Sequence, residues 1–395
     1  MGIQFLDSLK NLEGKRVLGR FDFNVPTDDH GNITDDVRIR RAIPTINYLL
    51  DEKAKIIILS HRGRPKGKRV EKYSMKIVAK RLERLLKKDV LFLNDCIGDE
   101  IKKEIEKAPN ESIIFLENVR FYPGETSNDE EFAKKLAELG EIYVDDAFGN
   151  AHRTHASNVA ITKFVDTCVA GFLMKDEIMY FKRALENPVR PLVAIVGGAK
   201  VSDKLGALEN LLDRVDKMIV GGGMAFTFLK ALGDSIGNSL VEEELIGKAL
   251  DILRKADKKD VKFYLPVDCV VAKEIANNVE TKVVPVKEIP DSWKGLDIGP
   301  ATTTLFSEVI KDAKTIVWNG PMGVFEYDLF ARGTMSMVHA VANTYALTII
   351  GGGDTDVAVH KAGEMDRISY ISTGGGAFLH LLEGKELPAI KALDK

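Results

Sequence analysis

Apolar, β-rich runs alternate with helical patterns along nearly the whole sequence. Strand-like RVLGRFDF (residues 16–23) leads into a helical stretch from Asp36 to Lys53, then KIIILSH (55–61), then the helical SMKIVAKRLERLLKK (74–88). VLFL (90–93), DEIKKEIEKA (99–108), SIIFLEN (112–118), DEEFAKKLAELG (129–140) and EIYVDDAF (141–148) continue the pattern. Alternation of this kind implies parallel sheets covered by helices on both faces, because joining parallel strands requires a crossover. Pro44, inside the first helical stretch, is expected to kink or end it.

At 395 residues the chain is too long for one core, since single cores stop growing near ~250–300 residues. The expected class is therefore α/β, with two doubly wound, Rossmann-like parallel-sheet domains. The first spans residues 1–172; a helical stretch, 173–188, ending at Pro188 connects it to the second, 189–379, where alternation restarts with LVAIVGG (192–198). Hydrophobic residues make up 45% of the chain, enough apolar mass for both cores.

A formal net charge of −3 supplies no general field for nucleic acid or an anionic membrane. The basic run HRGRPKGKR (61–69) has no interleaved aromatics and reads as solvated loop, so neither partner is expected. Cys96, Cys168 and Cys269 lie far apart, without the spacing of a zinc site or a disulfide framework, and read as inert thiols in a reducing compartment. No leader-like or membrane-spanning run is evident, which makes the cytoplasm the expected location.

Ligands of open α/β sheets bind beyond the carboxyl ends of the strands. In the first half those positions are basic or polar: Arg20, Asp22 and Asn24 after the first strand, Arg38 on the following loop or first helical turn, then His61, Arg62, Arg64, Arg120, His152, Arg153 and His155. Each arginine alone could be a surface ion pair. Their repetition after successive strands points instead to a small polyanion, for which the planar guanidinium fork is suited. His152 and His155 lack a carboxylate or thiol partner at ligand spacing, so they read as anion donors or structural histidines rather than metal ligands.

In the second half four strands stop in glycine: Gly197-Gly198, Gly221-Gly222-Gly223, Gly351-Gly352-Gly353 and Gly374-Gly375-Gly376. Backbone N–H groups without side chains can approach an anion, and a helix starting there adds its positive end, so these loops are expected to contact phosphate or nucleotide. None matches GxxxxGK[ST] or GxGxxG. Lys200 and Lys204, four apart in GGAKVSDK, are expected to share a helix face near its N-terminus, where both repulsion and the macrodipole call for an anion. Asp203 could neutralise one of them. Asp354 reads both as a helix cap and as a Mg²⁺ ligand.

An anion site in one half and a nucleotide-like site in the other suggest phosphoryl transfer, with closure about a hinge to exclude water. The basic cluster holds no strong candidate for a general base beyond the two histidines and Asp22, which suits a nucleophile already ionised. A bilobal sensor without turnover is the rival of another class, but it need not keep Arg38, Lys200 and Lys204 together. A kinase of another small acid is disfavoured by the phosphate-type arginines.

RFDFNVP (20–26), SHRGRP (60–65), ENVRF (117–121), DAFGNAHRTHAS (146–157), GGAKVSDK (197–204), GGGMAFTF (221–228), LPVDCVVA (265–272), VWNGPMGVFE (317–326), GGGDT (351–355) and STGGGAFLHLLEG (372–384) together resemble the phosphoglycerate kinase family over essentially the whole chain. Asn150 and Thr154 depart from the family's more usual threonine and alanine. The resemblance implies reversible transfer between 1,3-bisphosphoglycerate and MgADP, giving 3-phosphoglycerate and MgATP, by a monomer whose tail, 380–395, returns to the first domain. It also implies residue roles. Asp22, Phe23, Asn24, Arg38, His61, Arg62, Gly63, Arg64, Arg120 and Arg153 would bind the three-carbon substrate. Arg38, Lys200, Lys204 and Gly375 would act on the transferring group. Gly198, Gly222, Gly223, Gly295, Pro321, Val324 and Glu326 would hold adenine and ribose. Asn319, Gly352, Gly353 and Thr355 would lie near the phosphates, and Asp354 would hold Mg²⁺.

Overall fold

A computed structural model of the chain describes residues 2–394. It divides into two compact units, Met1–Ile178 with Glu386–Lys395 and Met179–Lys385. The first contains strands β1 (Arg16–Phe21), β2 (Lys55–Leu59), β3 (Val90–Phe92), β4 (Ile113–Phe115), β5 (Ile142–Asp146) and β6 (Thr167–Ala170), all parallel, in the order β3-β4-β2-β1-β5-β6. Helices α1 (Val37–Asp51), α2 (Lys76–Leu86), α3 (Asp99–Lys107), α4 (Pro123–Thr126) and α5 (Glu130–Ala137) link the strands. The order reverses between β1 and β5, so their loops diverge and leave a crevice at the carboxyl ends.

The expected break at Pro44 does not occur. Helix α1 runs through it, and the Arg40 carbonyl one turn back loses the N–H that would have bonded it. Helix α6 (Phe172–Phe181) continues directly into a π-helical turn, Lys182–Glu186, and the boundary between the two units falls inside α6. The chain ends in the short helix Pro388–Leu393, which belongs to the first unit; its Ala389 amide donates to the Ala151 carbonyl at 3.1 Å.

The second unit repeats the plan with β7 (Leu192–Val196), β8 (Lys217–Val220), β9 (Lys262–Tyr264), β13 (Thr315–Asn319), β14 (Leu347–Gly351) and β15 (Tyr370–Ile371), parallel and ordered β15-β14-β13-β7-β8-β9. Between β9 and β13 lies an antiparallel sheet, β11-β10-β12, of Lys282–Pro285, Asp268–Ala272 and Lys294–Ile298. The βαβ reading of the sequence did not anticipate it. Its helices are α7 (Leu205–Leu211), α8 (Ala225–Ala231), α9 (Ile246–Lys258), α10 (Pro300–Ile310), α11 (Arg332–Ala342), α12 (Gly353–Ala362) and α13 (Gly375–Leu382).

Strand β7 explains why LVAIV is apolar at every position. Leu192, Ala194 and Val196 pack into one core, while Val193 and Ile195 face a second core on the opposite side of the sheet. A pleated strand sends alternate side chains to opposite faces, so burial on both demands a continuous apolar run. In this unit the order reverses between β7 and β13, where Gly197 and Gly320 follow the strands.

Candidate functional site

In the first unit the segments after β1, β2 and β4 are tied together by polar bonds at their carboxyl ends. Arg38, in the first turn of α1, donates from Nη1 to Asp22 Oδ2 at 2.9 Å and to the Asn24 carbonyl at 3.3 Å. The Gly63 amide donates to Asn24 Oδ1 at 2.8 Å, and Arg120 Nη1 donates to the Gly63 carbonyl at 2.9 Å. Asp22, Asn24, Arg38, Gly63 and Arg120 thus form one connected edge. Among the described residues Arg64 and Arg153 make no side-chain bond, and Arg64 is exposed.

Several of the strand-end residues face inward instead. Phe23 is fully buried, stacked on Phe21 with ring centroids 5.4 Å apart, so only its backbone could meet a ligand. The Arg62 guanidinium donates to the carbonyls of Lys72 (2.5 Å) and Ser74 (3.3 Å) and to Thr27 Oγ1 (3.0 Å), which makes it a strut for the loop rather than a reader of substrate. Arg20 is fully buried and bonded to Ser157 and His61. His155 Nδ1 stands 3.6 Å from buried Glu125, and among the described residues no three potential ligands gather as for a metal.

The remaining cluster is strongly positive. Arg120 is pushed down to about 10, by burial first and then by Arg20 and Arg153. His61 is held well below the ordinary imidazole value, again by burial first and then by Arg20, Arg120, Arg38 and His155. A buried arginine and a histidine both pushed down by neighbouring positive charge fit a site whose ligand is an anion.

In the second unit a cavity of about 430 Å³ opens beyond β7, β8, β12 and β13. Gly198, Gly222, Gly223, Gly295, Pro321, Val324, Glu326 and Asp354, all expected for nucleotide, line it. Phe226, Leu240, Leu296 and Met322 supply apolar walls, with Asn238 and Lys294 as polar groups. These had not been singled out; two of them, Lys294 and Leu296, stand on the unexpected antiparallel sheet. Phe226 did have a signal: a Cβ on Gly295 would lie 2.0 Å from its ring, so glycine there seats an aromatic wall. Buried Asp297, also lining the cavity, accepts from the Gly333 and Ile298 amides at 2.7 and 2.9 Å, and burial pushes its carboxyl up to about 7.

Not every glycine stop serves a ligand directly. A Cβ at Gly197 would meet the Pro321 carbonyl at 2.2 Å, one at Gly351 the Phe378 ring at 2.1 Å, and one at Gly222 the Gly198 carbonyl at 2.6 Å. Those glycines let the loops pack on each other and shape the cavity floor. Nothing lies within 4 Å of a Cβ at Gly353, whereas one at Gly375 would stand 3.7 Å from the Gly353 amide, so these two loops are neighbours with open space between their backbones and solvent.

The helical pairing of Lys200 with Lys204 is overturned. Residues 200–204 are not helical, 202–204 forming a turn; α7 starts only at Leu205, and Lys204 occupies its N-cap position. Lys204 bonds to Asn319 Oδ1, and burial pulls its ammonium down against the opposing pull of Asp203, Asp354 and Glu383. Lys200 is exposed. Asn319 also donates to the Gly351 carbonyl at 2.8 Å, and Thr355 Oγ1 accepts from the Gly320 amide at 2.8 Å, so these two side chains fasten the glycine loops together. Asp354 is not the cap expected of it: Gly352 holds the N-cap position of α12, and Asp354 lies exposed in the first turn, at the cavity rim.

Comparisons with known proteins agree with this geometry. A family model described as "Phosphoglycerate kinase" matches residues 6–385. A phosphoglycerate kinase of Citrifermentans bemidjiense is 62% identical over 394 residues, covering 100% of this chain and 99% of the relative. One from Aquifex aeolicus is 55% identical over 384 residues, covering 97% and 96%. Among solved structures, phosphoglycerate kinase from Coxiella burnetii superposes with a TM-score of 0.90 at 45% identity, covering 99% of this chain and 98% of that one. The chain belongs to the phosphoglycerate kinase family, whose reaction is the reversible transfer of a phosphoryl group between 1,3-bisphosphoglycerate and ADP in glycolysis.

Proposed function

We propose that the arginine cluster of the first unit holds the three-carbon acid and the glycine-walled cavity of the second holds the nucleotide. The observation that carries the assignment is the connected edge of Asp22, Asn24, Arg38, Gly63 and Arg120 at the carboxyl ends of the strands, where Arg120 is pushed down to about 10 by burial and by the charges of Arg20 and Arg153. Asp22 and Asn24 would take its hydroxyl and acyl end; His61, Arg64, Arg120 and Arg153 would hold its charged groups. Arg38, Lys200, Lys204 and the Gly375 amide would meet the phosphoryl group in transit. Glu326 would take the ribose hydroxyls.

In the ATP-forming direction an ADP oxygen attacks the acyl phosphate phosphorus and the P–O bond to the carboxyl breaks. In reverse, the 3-phosphoglycerate carboxylate attacks the γ-phosphorus of ATP. Neither nucleophile has a proton to lose. Asp22, whose oxygens accept from Arg38 and, at 3.2 Å, from the Asn24 amide, keeps further lone pairs for the substrate hydroxyl and is not needed as a base. Positioning and charge stabilisation are then what the protein must supply. We assign the hinge for closure to the helical connector, residues 172–186.

Mg²⁺ fits the residues present. Asp354 offers one exposed carboxylate at the cavity rim, and Mg²⁺ is commonly held by one or two carboxylates plus substrate phosphates. Held there by Asp354, the ion would supply positive charge that offsets the nucleotide phosphates. Asp354→Ala should therefore weaken MgADP by several-fold more than it weakens metal-free ADP, measured by calorimetry with and without chelator. Equal weakening would remove Asp354 from the metal site.

We take the enzyme to be a cytoplasmic monomer without nucleic-acid or membrane partners; the net charge of −3 and three buried free thiols support this. The direct test of function is ATP formation by the purified chain from MgADP and freshly generated 1,3-bisphosphoglycerate. Binding of 3-phosphoglycerate and ADP without ATP would favour a sensor.

A further inference from the structure

Arg20, at the end of β1, is fully buried and its guanidinium is committed three ways. Nε donates to Ser157 Oγ at 2.8 Å, Nη1 donates to the Phe21 carbonyl, and Nη2 stands 3.0 Å from His61 Nδ1. A guanidinium has only N–H donors and stays protonated in proteins. The imidazole nitrogen facing it at 3.0 Å must therefore supply a lone pair, because two N–H groups cannot point at each other at that distance. The ring proton of His61 then resides on Nε2, and the tautomer follows from the chemistry of the partner.

Arg20 is itself anchored from the far side. Ser157 donates from Oγ to Glu125 Oε1 at 2.7 Å and from its amide to Oε2 at 2.9 Å, so its hydroxyl proton is committed and its lone pair is left for Arg20. Burial works against the charge of Glu125, but His155, Arg20 and Ser157 outweigh it and hold the carboxyl below its ordinary range. Either charge buried alone would be costly; linked through Ser157 they form one satisfied network. The groups around His61 are Arg20 from β1, Arg38 from α1, Arg120 from the turn after β4 and His155 from the loop after β5, all of which oppose a charged imidazole.

We infer that Arg20 is a positioning residue for the family reaction: by occupying His61 Nδ1 it presents the Nε2–H of an uncharged imidazole as a fixed donor to an anionic oxygen of the three-carbon substrate. The inference rests on the assignment of His61 to that substrate. It separates Arg20, whose guanidinium is spent within the protein, from the arginines assigned to the ligand. It also removes His61 from the acid–base chemistry, since its only proton is the one it donates.

The test is nitrogen-15 NMR of histidine-labelled protein, with the His61 signals identified by their loss in His61→Gln. His61 should show a protonated Nε2 and a bare Nδ1, without titrating from about pH 5.5 to about pH 8. Added 3-phosphoglycerate should shift the Nε2–H resonance. Arg20→Met should release Nδ1, so that the ring proton is no longer confined to Nε2, and raise KM for 3-phosphoglycerate about tenfold, the worth of one hydrogen bond to a charged group, while KM for MgADP stays unchanged. Arg20→Lys, which keeps a donor, should restore part of the tautomer signature. If Arg20→Met does not fold, the wild-type spectrum alone decides: a protonated Nδ1, or titration near the free imidazole value, overturns the role of Arg20. The expected tautomer with no response to 3-phosphoglycerate overturns the placing of His61 at the substrate instead.

Discussion

Arg38→Ala should lower kcat by about 10²–10³-fold, the loss seen when one donor to a developing transition-state charge is removed. Of its donors, Nη1 is bonded to Asp22 and the Asn24 carbonyl, which fixes the plane of the guanidinium, while Nε and Nη2 make no bond among the described residues. The side chain is 38% exposed, so those donors are accessible to a ligand. An arginine held at one edge and open at the other is preorganised for an anionic group, and the Asp22 pair supplies the orientation. The Kd for ADP, read by calorimetry, should stay near the parent value, because the nucleotide cavity lies wholly within the second unit. An interaction made mainly in the transition state lowers kcat rather than weakening ground-state binding. A kcat within about threefold of the parent would place Arg38 outside the transferring group's reach.

The same residues show how far the sequence could be read. Strand-by-strand alternation was legible because burial on both faces forces apolar runs such as KIIIL and LVAIV, whose every residue is buried. Residues after those runs could be suspected as a group, from their position at the strand ends. Which of them face a ligand was not legible, since that depends on partners remote in sequence. Arg62 and Arg64 look alike in SHRGRP, yet Thr27, Lys72 and Ser74 capture the first and leave the second exposed. Arg20 is claimed by Ser157, 137 positions away. Lys200 and Lys204 misled for a local reason: spacing of four marks a helix face only inside a helix, and the chain there still turns. The antiparallel sheet stayed hidden because its strands are short, and exposed Lys282 and Val283 of β11 weaken any pattern.

The glycine stops need two explanations, and a pair of substitutions separates them. Gly222 has φ near +69° and would press a Cβ against the Gly198 carbonyl and amide nitrogen at 2.6 and 2.7 Å and the Pro321 carbonyl at 2.9 Å. All three are backbone atoms that cannot swing away. Gly222→Ala should therefore combine left-handed strain of ~1–2 kcal/mol with overpacking of ~1–3 kcal/mol, a loss of about 2–5 kcal/mol in the urea unfolding of the second unit, and its nucleotide affinity should fall because the cavity wall moves. Gly353 is the opposite case. It opens helix α12, has no left-handed φ and has nothing within 4 Å of a new Cβ. Gly353→Ala should leave stability unchanged or raise it by up to ~1 kcal/mol through helix propensity. Its ADP affinity should nevertheless drop about tenfold or more, because a methyl group would occupy the space through which phosphate oxygens reach the amides. Parental ADP affinity in Gly353→Ala would mean that this loop is open for some reason other than phosphate. Parental stability in Gly222→Ala would mean that the loops can separate, and the packing account of the glycine stops would fail.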